Sequence, residues 1–339
     1  MRKRFSELTT IGVGGWASNY LVATTTEELI AAVRAADDQG EPLLVIGEGS
    51  NLVVGDSGFD GTVVRVQTQP MRLRGDQLAV SAGASWDGVV AWTLDAGLGG
   101  LEALSGVPGS AGATPIQNVG AYGSVVADGL TGVTVYDRQT RSVRDISAAD
   151  CGFGSHRRSI FKGQDRYVVL TVHFRLPRTL LSQPIAYASL AERLGVRLGA
   201  VVPAARVRGA VLELRRERGM LHDPADHDTW SVGSFFVNPV VDVVPGAAAG
   251  CPVHPDAAGT KLSAGWLIEH AGFPPGYGRQ WGRGRVRLSS KHALAVTNRG
   301  GATTAEIMSF AGHIRAGVQH AFGVQLHPEC DLLNCRISR

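Results

Sequence analysis

Cysteine is scarce in this sequence of 339 residues. Its four cysteines, Cys151, Cys251, Cys330 and Cys335, are far apart or spaced unlike a C-x-x-C pair. This spacing argues against a structural zinc site and a disulfide framework, and a chain of this length buries enough apolar surface to need neither. We therefore predict reduced thiols in a cytoplasmic protein.

Strong net charge and long apolar runs are also missing. The formal net charge is +3, with charged residues at 19%, which is too mild to indicate a nucleic-acid partner but fits an anionic small substrate. No apolar run approaches the length of a membrane span, and the basic start MRKRFSELTT continues into polar residues rather than a signal-peptide core. We find no internal repeat or low-complexity tract. The sequence therefore predicts a soluble protein without membrane or nucleic-acid partners.

Glycine, in contrast, is abundant. With 44 glycines and 44% hydrophobic residues, the composition is typical of a loop-rich α/β or α+β enzyme. Sequence signals predict one helix that begins at a Thr25-x-x-Glu28 capping box and stops at Gly40, and another near Ser85 that buries Trp86 in the core. Further helices are predicted at 184–194, 203–218, 261–271 and 303–320, and strands at 20–23, 43–46, 52–54, 62–66, 78–82, 133–136, 142–146 and 167–174.

The most unusual stretch is PGSAGATPIQNVGAYG, residues 108–123. Its small residues let backbone N–H groups converge on an anion, or let a flat ring lie against the chain. A tight glycine-rich connection between strands is the alternative. The embedded Gln117, Asn118 and Tyr122 favour the hydrogen-bonding edge of a cofactor. If the glycines reserve space for that cofactor, a bulky residue at Gly112 or Gly120 should release it.

A second glycine motif, GEGSN at 47–51, follows the predicted strand 43–46. Glycines that free backbone N–H groups, with serine and asparagine as extra donors, are typical of a phosphate-binding turn. The alternative is an ordinary short loop between strands. The motif alone does not decide between them.

Two further loops carry charged residues. In FGSHRRSIFKG, residues 153–163, Arg157 and Arg158 would face opposite ways in an extended segment, so that one could point inward to an anion. The alternative is that both are solvated. The loop from His222 to Asp228 has metal-ligand residue types, but Pro224 and irregular spacing favour a solvated linker.

Six motifs in order resemble the UDP-N-acetylenolpyruvoylglucosamine reductase (UDP-N-acetylmuramate dehydrogenase) family, from about Phe5 to Glu329. The motifs are GEGSN at 47–51, PGSAGATPIQNVGAYG at 108–123, RRSIFK at 157–162, GSFFVNP at 233–239, KLSAGWLIE at 261–269 and LHPE at 326–329. The resemblance implies an α+β chain with an FAD-binding fold of the vanillyl-alcohol-oxidase (PCMH) type in two lobes, plus a C-terminal α+β substrate domain. The implied boundaries are 1–66 for lobe 1, 67–221 for lobe 2, joined by 322–339, and 222–321 for the substrate domain.

The same resemblance implies an activity. FAD and NADPH would reduce UDP-N-acetylglucosamine enolpyruvate to UDP-N-acetylmuramate for peptidoglycan precursor synthesis, in a monomer. Adding hydride to the β-carbon moves charge onto the α-carbon and its carboxylate, so the site needs donors for an enolate and an acid for the α-carbon. By their match to the family, Arg157 and Glu329 would stabilise the enolate, Glu329 in its protonated form, and Ser234 would donate the proton.

The resemblance also assigns binding residues. Tyr187, Arg218 and Asn238 match substrate-binding positions, the last as a diphosphate contact. The cofactor-binding residues would be Gly47, Glu48, Gly49, Ser50, Asn51, Ser110, Gly112, Ala113, Thr114, Gln117, Asn118, Gly120, Ala121 and Tyr122.

The chain departs from the family pattern at a few positions. Arg158 replaces the family's usual aspartate, and Arg218 its usual lysine, whose point charge differs from the guanidinium fork. The last ten residues also differ from the usual family ending. Three hypotheses follow: the family reaction, a divergent flavoenzyme acting on another substrate in specialised metabolism, and a flavin-binding protein without turnover, which retention of Arg157, Ser234 and Glu329 disfavours.

Overall fold

The computed structural model describes residues 2–154 and 159–337. Arg157 and Arg158 lie outside the described residues, so the predicted roles of this pair have no structural account here. The chain forms two compact units. Unit 1 comprises Met1–Asn19, Gly49–Asp60 and Arg218–Arg339, and unit 2 comprises Tyr20–Glu48 and Gly61–Glu217. The predicted division into two cofactor lobes and a substrate domain stays a prediction.

Within the described residues the helices and strands alternate irregularly, as expected for an α+β chain. The α-helices are α1 (Thr26–Gln39), α2 (Trp86–Asp95), α3 (Ala113–Ile116), α4 (Ala188–Leu194), α5 (Ala204–Glu217), α6 (Ala264–His270) and α7 (Thr304–Phe322). The strands are β1 (Lys3–Arg4), β2 (Trp16–Ala23), β3 (Leu43–Ile46), β4 (Leu52–Val54), β5 (Phe59–Val66), β6 (Met71–Arg74), β7 (Gln77–Ser81), β8 (Gly120–Ala121), β9 (Ser124–Val125), β10 (Leu130–Asp137), β11 (Ser142–Ser147), β12 (Tyr167–Arg175), β13 (Val240–Val241), β14 (Val253–Asp256), β15 (Gly259–Leu262), β16 (Val286–Leu288), β17 (Val296–Asn298) and β18 (Asp331–Leu333).

The first helix is set by local signals. The Thr25 hydroxyl accepts a hydrogen bond from the Glu28 backbone N–H, and the Glu28 carboxylate accepts one from the Thr25 N–H, so the predicted capping box is confirmed. Gly40 ends the helix in the left-handed conformation, at φ 66°. The buried face of α1 is formed by Leu29, Val33 and Ala36, spaced three and four residues apart.

Unit 2 is built on a five-stranded sheet of antiparallel pairs, in the order β11-β10-β12-β7-β6. Its valine-rich strands bury one large core, in which the ring of Trp86 packs 5.9 Å from that of Phe174. Trp86 is fully buried, which confirms its predicted place in the core. In the same unit β3 pairs in parallel with β5 at the register Leu43↔Thr62.

A smaller cluster of unit 2 joins α4 and α5. The predicted helix start at Pro184 is wrong, because Ile185 donates its backbone N–H to Ala200 O and this segment is extended. The helix begins after Tyr187, which is its N-cap. Tertiary pairing has overridden local propensity here.

Unit 1 has its own core around α6 and α7, where Phe310 and Ile314 are fully buried. Small sheets surround it: β13-β15-β14, β16-β17 and the parallel pair β18-β4. The predicted start of a helix at Lys261 is wrong, because Lys261 lies in β15, paired with both β13 and β14, and α6 begins only after its N-cap Ser263.

The four cysteines are free, as predicted. Burial raises the pKa of the Cys151 thiol to about 11 and that of the Cys330 thiol well above its usual range. Buried thiols of this kind are chemically inert at neutral pH. In the part of the chain that the structure describes, no helix is both long and apolar enough to cross a membrane.

Candidate functional site

In unit 2 the two predicted cofactor loops touch each other. The Glu48 carboxylate accepts a hydrogen bond from the Gly109 backbone N–H at 3.0 Å. Beside it, a Cβ on Gly47 would lie 2.2 Å from the Ser110 Oγ, so only glycine fits at the end of β3. The structure therefore brings Gly47 and Glu48 of the first motif against the start of the Pro108–Gly123 loop.

Backbone hydrogen bonds fasten the first half of this loop to a neighbouring segment. Ala111 and Gly112 donate their N–H groups to the carbonyls of Ala84 and Ala82, each at 2.8 Å. A Cβ on Gly112 would lie 2.5 Å from the Ala82 Cβ, and one on Gly120 would lie 2.8 Å from a Val125 methyl carbon. At both glycines atoms of the protein itself already limit the space for a side chain, and the expectation that a bound cofactor also occupies it stays a prediction.

The second half of the loop contains a residue with left-handed backbone conformation and a buried polar atom that lacks a partner among the described residues. Ala113 and Thr114 open the one-turn helix α3, and Gln117 follows it, with its side chain buried. Asn118 has φ 39°, in the left-handed region, and its buried Oδ1 has no hydrogen-bond partner among the described residues. Because buried polar atoms are nearly always paired, this acceptor points to a ligand with an N–H donor.

The segment after the two predicted arginines is attached to the same loop. The Ser159 hydroxyl donates to Ile116 O at 2.8 Å, and the Lys162 ammonium donates to the Gln117 Oε1 at 2.9 Å. Sequence analysis gave Lys162 no role. Its place in the motif RRSIFK was the only signal that could have found it.

An ion-pair network holds the chain just before the loop. The Arg208 guanidinium donates to both carboxylate oxygens of Asp87, and this hydrogen-bonded pair holds the pKa of Asp87 below its usual range. Asp87 also accepts from the Gly106 N–H at 2.6 Å, while the Arg215 Nε donates to Gly106 O at 2.9 Å. Side chains from α2 and α5 thus form hydrogen bonds with both the N–H and the carbonyl of Gly106.

The predicted substrate tyrosine lies beside the end of the loop. The ring of Tyr187 meets that of Tyr122 edge to face, with centroids 5.6 Å apart. Tyr122 has φ 49°, and Gly120 and Ala121 form β8 just before it. Tyr187 is 42% exposed, so its ring has an accessible surface as well as a fixed neighbour.

The rest of the GEGSN motif belongs to unit 1. Gly49 has φ 66°, and a Cβ there would lie 2.1 Å from Leu8 O. Asn51 accepts a hydrogen bond at its carbonyl from Asp331, while its buried Nδ2 has no partner in the described part of the chain. Ser50 lies between them. An unpaired amide donor after a left-handed glycine fits an anionic ligand.

Unit 1 pairs the two segments that carry Ser234 and Glu329, both predicted to be catalytic. The Glu329 N–H donates to Phe235 O at 2.9 Å, and the Val237 N–H donates to His327 O at 3.0 Å. The segments containing Ser234 and Glu329 therefore run antiparallel, side by side. Phe235 is fully buried next to Ser234, whose side chain is only partly buried and makes no hydrogen bond with another described residue.

The two remaining substrate residues differ in how firmly they are held. The Asn238 Oδ1 accepts a hydrogen bond from the Ala264 N–H at 2.9 Å, at the start of α6. Because that bond uses the amide oxygen, the amide nitrogen is the group left to donate to a ligand. Arg218 follows the end of α5 and is partly buried, and its guanidinium has no acidic partner among residues 2–154 and 159–337.

The loop from His222 to Asp228 is exposed over residues 222–225, as predicted for a solvated linker, but its last residue is buried. Asp228 is 4% exposed and accepts hydrogen bonds from the Ser290 N–H and hydroxyl and from the Arg299 guanidinium. A buried carboxylate with this many donors anchors the loop. Within the described residues, no group of histidines, cysteines and acids is placed to hold a metal ion.

These features fit an FAD-binding region. Three features of unit 2 lie around one small-residue loop. They are the close approach of Gly47 to Ser110, the unpaired acceptor Oδ1 of Asn118, and the Lys162 ammonium bonded to Gln117. A flavin ring presents both an N–H donor and carbonyl acceptors, and its diphosphate needs backbone or cationic donors.

Comparisons with known proteins match both parts of the chain. A family model described as an FAD binding domain matches residues 10–145, and one for the C-terminal domain of UDP-N-acetylenolpyruvoylglucosamine reductase matches residues 223–333. These matches confirm the predicted fold class, an FAD-binding region followed by a C-terminal reductase domain.

Individual relatives agree with the family models. UDP-N-acetylenolpyruvoylglucosamine reductase from Thermobifida fusca is 51% identical over 339 residues, covering 95% of this chain and 94% of the relative. The reductase of that name from Streptomyces coelicolor is also 51% identical, covering 94% and 86%. The crystal structure of the reductase from Thermus caldophilus matches with a TM-score of 0.68 and 26% identity, over 98% of both chains. The chain belongs to the UDP-N-acetylenolpyruvoylglucosamine reductase family.

Proposed function

We propose that Ser234 and Glu329 supply the proton chemistry of the family reaction. The chain is an FAD-dependent oxidoreductase that reduces UDP-N-acetylglucosamine enolpyruvate to UDP-N-acetylmuramate with NADPH, in peptidoglycan precursor synthesis. The observation that supports the proposed roles is the antiparallel pairing of the Ser234 and Glu329 segments through Phe236 and Pro328.

The reaction needs an acid and a charge-stabilising group close to the same carbon. FAD, when bound, carries the hydride from NADPH to the β-carbon of the enolpyruvyl group. The charge that develops at the α-carbon and carboxylate needs a hydrogen-bond donor, and the α-carbon needs a proton. The paired segments supply a hydroxyl and a carboxyl group from neighbouring antiparallel stretches of chain.

Ser234 is proposed as the proton donor. Its hydroxyl makes no hydrogen bond with another described residue, while Phe235 beside it is fully buried and donates its N–H to Leu294 O at 2.8 Å. The backbone of Ser234 is thus held and its hydroxyl is available. A hydroxyl has a high pKa, so this role requires a strongly basic carbanion as acceptor, which an enolate provides.

Glu329 is proposed to stabilise the enolate in its protonated form. Its backbone is held by the hydrogen bond to Phe235 O. Arg157 is the proposed partner of the substrate carboxylate on the strength of the family motif alone, since it lies outside the described residues.

The proposed binding residues divide by chemistry. Arg218 and the amide nitrogen of Asn238 are suited to the substrate diphosphate. Tyr187 offers an exposed ring and hydroxyl to the substrate. The proposed cofactor contacts are Gly47, Glu48, Gly49, Ser50, Asn51, Ser110, Gly112, Ala113, Thr114, Gln117, Asn118, Gly120, Ala121 and Tyr122, among which Gly47, Glu48 and Gly112 act by shaping the loops. The cytoplasmic location and the monomeric state stay predictions.

The test separates proton donation from flavin reduction. Ser234→Ala should leave reduction of the bound flavin by NADPH nearly unchanged, because that step needs no acid from Ser234. Reoxidation of the reduced enzyme by the enolpyruvyl substrate should slow by about 10²–10⁴-fold, the range that general acid catalysis supplies. Anaerobic stopped-flow absorbance measures the two half-reactions separately.

Two further variants sharpen the result. Ser234→Cys, with a more acidic donor of similar volume, should recover part of the rate. Ser231→Ala is the matched control, because Ser231 is buried on the same segment and its hydroxyl accepts a hydrogen bond from the Gly233 backbone N–H. If Ser234→Ala slows the NADPH step and leaves the substrate step normal, Ser234 positions the nicotinamide and the proposal fails.

A further inference from the structure

Lys162 is a cation attached to the proposed flavin loop. Its ammonium donates a hydrogen bond to the Gln117 Oε1 at 2.9 Å, and the Gln117 side chain is buried within the loop. An ammonium has three N–H donors. The contact with Gln117 engages one of them and brings the charge to the loop.

The position of Lys162 is held on both sides along the chain. Three residues earlier, Ser159 is buried and its hydroxyl donates to Ile116 O, the residue before Gln117. The neighbouring Phe161 is 3% exposed and packs in the main core of unit 2, edge to face with Tyr167 at 6.1 Å. A lysine on such an anchored turn is preorganised, because little side-chain freedom remains to be lost.

The charge of Lys162 has no acidic counter-ion among the described residues. Across the described ranges, 2–154 and 159–337, no carboxylate forms an ion pair with its ammonium. Two aspartates of unit 2 are paired with arginines instead: Asp137 with Arg166 and Arg144, and Asp165 with Arg138. A partly buried cation without an acidic partner is costly unless an anion arrives with a ligand.

We propose that Lys162 stabilises the negative charge that the ring of bound FAD gains on reduction. The proposal rests on the proposed flavin-binding role of the 108–123 loop. The acceptor Oδ1 of Asn118 would complement the N–H of the flavin pyrimidine edge, and the ammonium bonded to the preceding residue, Gln117, would complement the adjacent carbonyl, where charge accumulates. Charges near this edge are known to tune flavin electronics.

The alternative anion is the diphosphate of FAD. The flavin ring and the diphosphate differ in whether their negative charge depends on reduction. Charge on the ring appears only on reduction, so Lys162 would favour reduced over oxidised FAD. The diphosphate is charged in both states, so Lys162 would then favour both equally and the reduction potential would not depend on it.

The experiment compares Lys162→Gln and Lys162→Arg with the wild-type flavoprotein. Glutamine keeps a donor for Gln117 but removes the charge, whereas arginine keeps the charge. Lys3→Met is the matched control, because Lys3 is partly exposed and pairs with Glu7 in unit 1. Each protein is loaded with FAD, its affinity for oxidised FAD is measured by fluorescence, and its two-electron potential is measured anaerobically against a reference dye.

For Lys162→Gln we expect the affinity for reduced FAD relative to oxidised FAD to fall roughly tenfold. This corresponds to a shift of the two-electron reduction potential by about 30 mV to a more negative value. Lys162→Arg should restore most of the shift, and Lys3→Met should have none. An unchanged potential in Lys162→Gln, with or without a loss of affinity for oxidised FAD, would overturn the proposal. A wild-type protein that takes up no FAD would instead overturn the proposed function itself.

Discussion

The carboxylate of Glu48 and the backbone N–H of Gly109 form a hydrogen bond of 3.0 Å between residues 61 positions apart. It joins the end of β3 to the start of the Pro108–Gly123 loop. Because the donor is a backbone group of the loop itself, this contact sets where the loop begins.

Glu48→Ala should therefore weaken FAD binding. Hydrogen bonds to charged groups contribute about 1.5–3 kcal/mol, so the dissociation constant for FAD should rise by about 10–100-fold. Glu48→Gln keeps an acceptor oxygen and should lose less. Glu27→Ala, at an exposed position on α1, serves as control. Fluorescence titration of apo-protein measures the constants, and an unchanged affinity in Glu48→Ala would refute this role.

Gly112→Ala should destabilise the apo-protein. Its Cβ would lie 2.5 Å from the Ala82 Cβ, and overpacking of this kind costs about 1–3 kcal/mol. Gly209→Ala is a control of opposite sign: it lies in α5 with open space around its Cβ, so alanine should leave stability unchanged or raise it. Urea unfolding without FAD measures both, and equal stabilities of wild type and Gly112→Ala would contradict the steric limit.

The buried Asp137 should make stability depend on pH. Its side chain is fully buried, and the Arg166 guanidinium, donating at 2.6 and 2.9 Å, holds the pKa of Asp137 far below its usual range. Because the pKa is lower in the folded state, ionised Asp137 stabilises the protein above the unfolded-state pKa of about 3.9. This stabilisation is lost as pH falls towards the folded-state pKa.

Asp137→Asn should accordingly lower the free energy of unfolding by about 3 kcal/mol at pH 7, because it removes the buried charge that two arginines contact. The difference from wild type should shrink below about pH 4, where the unfolded wild type is protonated. Asp38→Asn, in an exposed pair with Arg141, is the control and should change little. Denaturant unfolding at several pH values tests this, and a difference that stays constant down to pH 2 would be inconsistent with it.

Arg218 should act in substrate binding rather than in the chemical step. Arg218→Ala should raise KM for the enolpyruvyl substrate by about tenfold or more with kcat nearly unchanged, as expected when uniform binding is lost. Arg218→Lys should stay within a few-fold of wild type, because an ammonium also binds phosphate. Arg216→Ala, an exposed neighbour on α5, is the control. A large fall in kcat with an unchanged KM would place Arg218 in the chemistry instead.

Much of this protein follows from short stretches of sequence. The capping box at Thr25 and Glu28 and the left-handed Gly40 define α1 through contacts within a few residues, and β3 and β4 have the predicted bounds. The small-residue composition of residues 108–123 predicted a loop shaped for close approach. Motif order predicted the family, because six motifs in sequence are far more specific than one.

Only tertiary structure decided the long-range contacts. Local propensity placed Lys261 in a helix, but pairing with strands on both sides drew it into β15. The bonds from Gly109 to Glu48, from Lys162 to Gln117 and from Glu329 to Phe235 join residues 45 to 94 positions apart. No local pattern encodes such contacts, since they depend on how several elements pack at once. The sequence by itself therefore determined which residue types were present for the chemistry, and packing decided which of them meet.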